Sequence, residues 1–169
     1  MIVLTQRCSL ADVRPDGGPG FGCNGNLPVP IVLPLTADAR TRSRHRHVLS
    51  NGDPVYLQLP RGTCLQHGDL LSAEAGEVMV RIVAKPEPVM TVRASTPLAL
   101  LKAAYHLGNR HVPLEVTLEW LRLAPDPVLK SLLIDQLRVN VVEEVAPFRP
   151  ESGAYHSRHH ASHAHSHAH

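Results

Sequence analysis

The sequence predicts two small domains and a tail: an all-β domain over residues 1–74, an α+β domain over 75–150, and a flexible histidine-rich segment over 151–169. Three observations carry this reading. The first part breaks into short runs of strand-forming residues punctuated by glycine and proline. The middle part sets two helical patterns between strand patterns. The last fifteen residues, 155–169, hold seven histidines separated by small residues, with nothing that packs a core. A chain of 169 residues accommodates one or two such domains, each with a modest core. Aromatics make up only 4%, so those cores are built from Val, Leu, Ile and Ala.

In the first domain, Ile2, Val3, Leu4 and Thr5 open a short strand. Residues 15–26, rich in glycine and proline, break all periodicity and read as a flexible loop. A phosphate-cradling loop would need a Gly-Lys-Ser/Thr ending and a following helix, and this stretch supplies neither. Arg40, Arg42, Arg44 and Arg46 then alternate with Thr41, Ser43, His45 and His47, like one face of a strand. Two readings stay open: a charged edge strand that resists sheet-to-sheet pairing, or a docking surface for an acidic partner. Asn51-Gly52 between strand-forming runs marks a hairpin turn. Gly62, Gly68 and Gly76 punctuate further strands.

In the second domain, residues 77–84 alternate and then turn wholly apolar, Pro86 and Pro88 interrupt, and residues 89–92 resume as strand. Ser95 or Thr96 caps a helix with Pro97 at its first position, running to about Asn109. Residues 114–123 read as extended. Asp126 and Pro127 start a second helix to about Leu137, and Val139, Val141, Val142 and Val145 close with a strand. The order strand, helix, strands, helix, strand suggests a split-βαβ arrangement with two helices on one sheet face.

A formal net charge of +2 gives no field that would draw nucleic acid. Cys8, Cys23 and Cys64 are odd in number and form no Cys-x-x-Cys pair, which argues against a disulfide framework and a thiolate zinc site. No apolar run approaches the ~20 residues that span a bilayer, and the chain opens without a signal-peptide pattern. A reducing cytoplasm is the expected location. Enzyme readings fare poorly, because no Ser/His/Asp or Cys/His set has a recognisable spacing.

The chemistry concentrates in imidazole, which suits Ni, Zn and Cu. In the tail, His156, His159, His160, His163, His165, His167 and His169 form a compositional metal-binding segment. An engineered affinity tag is the bland alternative, although tags are usually unbroken runs. His111 differs, because it lies just past a helix stop. Gly108 or Asn109 is expected to take the left-handed conformation that closes the last turn, and Pro113 closes the connection. From the residues alone, His111 is either a ligand or a structural histidine bonding a loop carbonyl. His106, five residues earlier, points to another face of the helix and reads as structural.

The run Tyr105-His-Leu-Gly-Asn-Arg-His-Val-Pro113 resembles the signature of the urease nickel metallochaperones, the UreE family. Leu59-Pro-Arg-Gly62 with Gly68-Asp69, Asp126 with Val128-Leu129 and Leu132-Leu133, and residues 147–155 also match. The resemblance implies a ferredoxin-like second domain and a homodimer formed through it. It further implies Ni²⁺ held at the dimer interface by His111, with Zn²⁺ or Cu²⁺ as substitutes in vitro. The expected function is collection of nickel and its delivery to apo-urease with an accessory GTPase, without catalysis. Family members that carry extra histidines before the second helix use them as peripheral ligands. Here that segment is Leu123-Ala-Pro-Asp-Pro127, so the tail takes over their work. Two alternatives remain: a nickel or zinc storage and detoxification protein, and a protein- or RNA-docking scaffold using residues 40–46.

Overall fold

The computed structural model describes residues 2–8, 31–73 and 79–151. Two sheets, each with its own core, organise the described chain. The expected histidine-rich tail and the loop at residues 15–30 lie outside the described residues.

The first sheet is formed by β1 (Ile2–Cys8), β2 (Ile31–Leu35), β3 (Arg44–Val48), β4 (Pro54–Gln58), β5 (Leu70–Ala73) and β6 (Met79–Ala84), in the order β2-β6-β5-β1-β4-β3. Two of its pairings, β1 with β4 and β2 with β6, are parallel, and the rest are antiparallel. Its core gathers Leu4, Leu33, Leu35, Val55, Leu57, Leu71, Val80 and Ile82 from alternate strand positions, as the period of two requires. The hairpin expected at Asn51-Gly52 joins β3 to β4. Asn51 Oδ1 accepts from the Asp53 amide at 3.1 Å, and Gly52 sits at φ +88°, a conformation glycine adopts without strain. Asp69, which is buried, accepts two bonds from the Arg7 guanidinium, at 2.8 and 3.0 Å, so the Gly68-Asp69 pair serves the fold.

Two expectations for this domain need correction. The boundary at residue 74 falls short, because Met79–Ala84 pairs with β5 and β2 in the first sheet. Its apolar run is explained by this central position, flanked by strands on both sides. The passage between sheets is Lys85, whose amide donates to Leu35 O at 2.9 Å. The domain is also not wholly β. Residues Ala37–Arg40 form a one-turn helix, α1, capped by Thr36, whose Oγ1 accepts from Ala39 N at 3.3 Å. Arg40 therefore leaves the strand face on which the alternation places it, and only Arg44 and Arg46 of the four arginines lie in β3.

The second sheet holds β7 (Pro86–Arg93), β8 (Glu115–Val116), β9 (Leu121–Leu123) and β10 (Asn140–Pro147), in the order β10-β7-β9-β8, with every neighbouring pair antiparallel. Helix α2 (Pro97–Gly108) connects β7 to β8, and α3 (Pro127–Ser131) connects β9 to β10. Pro86 and Pro88, expected to interrupt the strand, lie within β7. Pairing with β9 begins only at Met90, so at the prolines β7 has one strand neighbour and an open edge. Helix α3 widens into π turns over Leu132–Gln136, with Leu137 N bonded to Leu132 O at 3.1 Å, and the adjacent Leu132 and Leu133 are both buried. On the sheet face away from the helices, Arg122 lies over the Trp120 ring at 4.3 Å and reaches Thr91 Oγ1, Glu144 and the Pro147 carbonyl. The Thr91 hydroxyl and Arg122 together hold the Glu144 carboxyl below its ordinary range.

Candidate metal centre

Helix α2 positions His111, the candidate ligand among the described residues. The Thr96 hydroxyl accepts from Ala99 N at 3.2 Å, and Pro97 occupies the first position, where a missing N–H costs no bond. Leu100, Ala103 and Leu107 face the second core. The helix closes with Val112 N bonded to Leu107 O at 3.2 Å and His111 N bonded to Gly108 O at 2.9 Å, the bond pair of a Schellman motif. Val112 packs against the cluster that contains Leu107, which supplies the hydrophobic contact of that motif.

The left-handed residue of this closure is His111 itself, at φ 56°. This corrects the expectation for Gly108 or Asn109. Asn109 is right-handed at φ −63°, and the chain turns two residues later than the Gly-Asn pair suggests. For a residue with a Cβ this conformation costs on the order of 1–2 kcal/mol, which the surrounding bonds offset. Arg138 ends the second helical segment in the same way at φ 55°, so left-handed closure is not by itself a mark of a site. What distinguishes His111 is that its imidazole is exposed on an ordered backbone. Arg110 donates to His106 O at 2.9 Å and braces the same turn. His106 is half-buried with its ring edge against Tyr105 at 5.6 Å.

Along the solvent face of α2, Leu98, Leu101 and Tyr105 are 62%, 67% and 66% exposed at helical spacing, on the helix that ends at His111. A shallow groove between the helical segments is lined by Arg110, Val128, Leu132 and Gln136, among others. Among the described residues, no three His, Cys, Asp or Glu side chains come together to hold a metal. His111 thus has no co-ligand cluster in the described part of its own chain. The segment 123–127 offers none either, since Asp126 Oδ1 accepts from Val128 N at 2.8 Å and Leu129 N at 2.9 Å as the cap of α3. His156, His159, His160, His163, His165, His167 and His169 lie outside the described residues.

Two features escaped the sequence reading. Arg40 is only 2% exposed, and its guanidinium donates to the Phe148 carbonyl at the end of the second domain, so it is no part of a docking surface. Burial holds its pKa below the ordinary arginine value. His67 Nδ1 accepts from Ala84 N at 3.2 Å beside the passage between sheets, and burial, followed by Arg149, Arg40 and Arg81, lowers its pKa. Neither leaves a local signal, because both partners are remote in sequence.

The fold is therefore that of a two-domain chain, β-rich then α+β, with one exposed, ordered imidazole at a helix end. Residues 31–85 match the family model described as UreE urease accessory protein, N-terminal domain, and residues 87–169 match its C-terminal domain. The chain is 54% identical over 112 residues to the urease accessory protein UreE of Nostoc punctiforme, covering 66% of this chain and 75% of that one. It is 56% identical over 108 residues to that of Thermosynechococcus vestitus, covering 64% and 74%. With the protein of the same name from Burkholderia lata, identity is 50% over 115 residues, covering 68% and 55%. This chain belongs to the UreE family of urease accessory proteins. Among its described residues no helix is long and apolar enough to cross a membrane.

Proposed function

We propose that this protein is a nickel metallochaperone that collects Ni²⁺ and delivers it to apo-urease during urease maturation. It acts in the cytoplasm as a homodimer, by ligand exchange without covalent chemistry, together with an accessory GTPase. The observation that carries this reading is His111, an exposed imidazole on an ordered helix end, at the terminus of the helix that bears Leu98, Leu101 and Tyr105. An apolar stripe of this kind on a soluble family member is a natural self-association surface. A two-fold axis over it brings a second His111 to the first and turns one ligand into two. The second domain is read as ferredoxin-like, supported by its β-α-β-β-α-β order and its antiparallel sheet. The tail histidines supply further, weaker ligands, and Zn²⁺ or Cu²⁺ would compete, since imidazole does not select nickel by affinity alone. Calorimetric titration with Ni²⁺ of the intact chain, a chain ending at Tyr155, and His111→Ala tests the reading. Loss of the tightest class in His111→Ala alone supports it, and unchanged tight binding there refutes it. The scaffold alternative is weakened by the burial of Arg40 and the pairing of Arg42 with Asp38 at 2.6 Å, which leave Arg44 and Arg46 as its exposed charges outside a salt bridge among the described residues.

A further inference from the structure

We propose that His45 and His47 on β3 form a second site for a divalent transition metal, on the first domain. The two residues are separated by one position, so both imidazoles leave the strand on the same face. Their ring centroids are 4.7 Å apart with planes at 82°. Two imidazoles that bind one ion through nitrogens at ~2.1 Å in neighbouring coordination positions have ring centres roughly 4.5–5 Å apart. The centroid spacing is within the range of a two-tooth chelate, reached when the exposed His45 ring turns its nitrogen toward the ion.

The register explains how the pair is held. His45 lies opposite Leu57 and His47 opposite Val55, both fully buried, so the imidazoles stand on the core side of the sheet where the core ends at its edge strand. Arg44 and Arg46 lie opposite Gln58 and Tyr56, on the other face. His47 is half-buried, and its Nε2 is buried without a hydrogen-bond partner. Buried polar atoms are nearly always partnered, so this nitrogen is free to take an ion once the exposed His45 ring moves to admit it. His45 is exposed, so its ring turns toward a shared ion without displacing core side chains.

Arg42 is the arginine that acts on His47, and its guanidinium is paired with Asp38, while Arg44 and Arg46 lie on the other face of the strand. No third His, Cys, Asp or Glu among the described residues joins the pair, so water completes the coordination shell. Two imidazole nitrogens with water select Ni²⁺, Cu²⁺ or Zn²⁺ over Mg²⁺ or Ca²⁺, and bind them weakly and exchangeably. The site does not depend on the His111 reading.

Diethyl pyrocarbonate labelling of the full chain with peptide-resolved mass spectrometry separates this site from the tail. His45 acylation is expected to fall through a Ni²⁺ or Zn²⁺ titration and to stay constant with Mg²⁺. In His47→Ala the protection is expected to need ~10-fold more metal, because the second tooth is gone. In His111→Ala it is expected to be unchanged, so failure of one site is distinguishable from failure of the other. Since His47→Ala perturbs a half-buried position, the exposed variant His45→Asn gives a second readout: Ni²⁺ broadening of the Val55 and Leu57 amide signals, present in the parent, is lost. Flat His45 labelling across the nickel titration, or an unchanged midpoint in a folded His47→Ala protein, overturns the proposal.

Discussion

The guanidinium of Arg40, at the end of a one-turn helix in the first domain, donates to the carbonyl of Phe148 just past the last strand of the second. Both residues are almost fully buried, so this charge-assisted bond lies inside the junction. Ala37 N donates to Glu87 Oε1 at 2.7 Å in the same region, from α1 to β7. The two domains are joined by more than the single residue Lys85. Arg40→Met keeps the aliphatic volume and strands the Phe148 carbonyl, which should cost about 1–3 kcal/mol. Differential scanning calorimetry should show the coupled transition splitting or broadening, with faster proteolysis near Lys85. An unchanged single transition would show that the junction does not depend on this bond.

His111 can be removed without disturbing the helix end, because glycine is the residue its backbone conformation favours. His111→Gly should leave stability unchanged or raise it by up to about 1 kcal/mol, the relieved left-handed cost less the extra freedom of the unfolded chain. His111→Ala keeps the strain and should not stabilise. Both should lose the tightest nickel class. Urea unfolding and calorimetric titration of the pair separate a structural histidine from a ligand, since a structural role would make both variants less stable than the parent and leave the tightest nickel class in place.

Much of this architecture was legible in local pattern. Thr96-Pro97 and Asp126-Pro127 start helices where their cap chemistry dictates, and Asn51-Gly52 turns the chain. What escaped depends on partners far away in sequence. Arg40 looks like one of four alternating surface charges, and the Phe148 carbonyl, 108 residues on, with Glu87 and Glu115 makes a buried position tolerable. Residues 37–40 are too short a helix to show a period. Met79–Ala84 looks equally at home in either domain until β2 and β5 pair with it. The position of His111 past a helix stop is legible, but its left-handed backbone is not, because Gly108 and Asn109 advertise that role and decline it.

The lowered pKa values of His47 and His67 set a pH dependence of stability. Both rings are harder to protonate in the folded chain than in the unfolded one. Below the free-imidazole value of about 6.5 the unfolded state therefore binds more protons, and stability falls as pH drops. Above that value the contribution is fully present. Chemical denaturation midpoints should decline between about pH 7 and 5.5. His67→Asn, which keeps an acceptor for Ala84 N and cannot titrate, should flatten part of that decline. A slope identical to the parent would place the effect in other groups.

The stripe Leu98, Leu101 and Tyr105 gives a test of self-association that leaves the core alone. Leu101→Arg puts a charge at a position 67% exposed, so the cost to the folded protomer should be within about 0.5 kcal/mol. If the stripe is the dimer surface, burying that charge weakens association, and sedimentation equilibrium should show at least ~10-fold loss of dimer affinity. A protein that stays dimeric with the same constant would exclude this face.

Ending the chain at Tyr155 removes seven of its twelve histidines and none of the residues in either core cluster. Stability should therefore be unchanged, and the far-UV spectrum of the ordered domains preserved. The metal count should change instead. Segment 123–127 contains no histidine or cysteine and its Asp126 Oδ1 caps α3, so little outside the tail, His111 and the His45–His47 pair remains to bind nickel. The intact chain should bind several ions per protomer, with a capacity that falls from about pH 7.5 to 5.5 as free imidazoles take up protons in competition with metal. The truncated chain should bind far fewer and show a correspondingly smaller pH-dependent loss. Equilibrium dialysis at both pH values reads each quantity. If the truncated chain keeps the full stoichiometry, the tail is no store. If capacity in the intact chain is flat with pH, carboxylates or thiols hold the metal in place of imidazole.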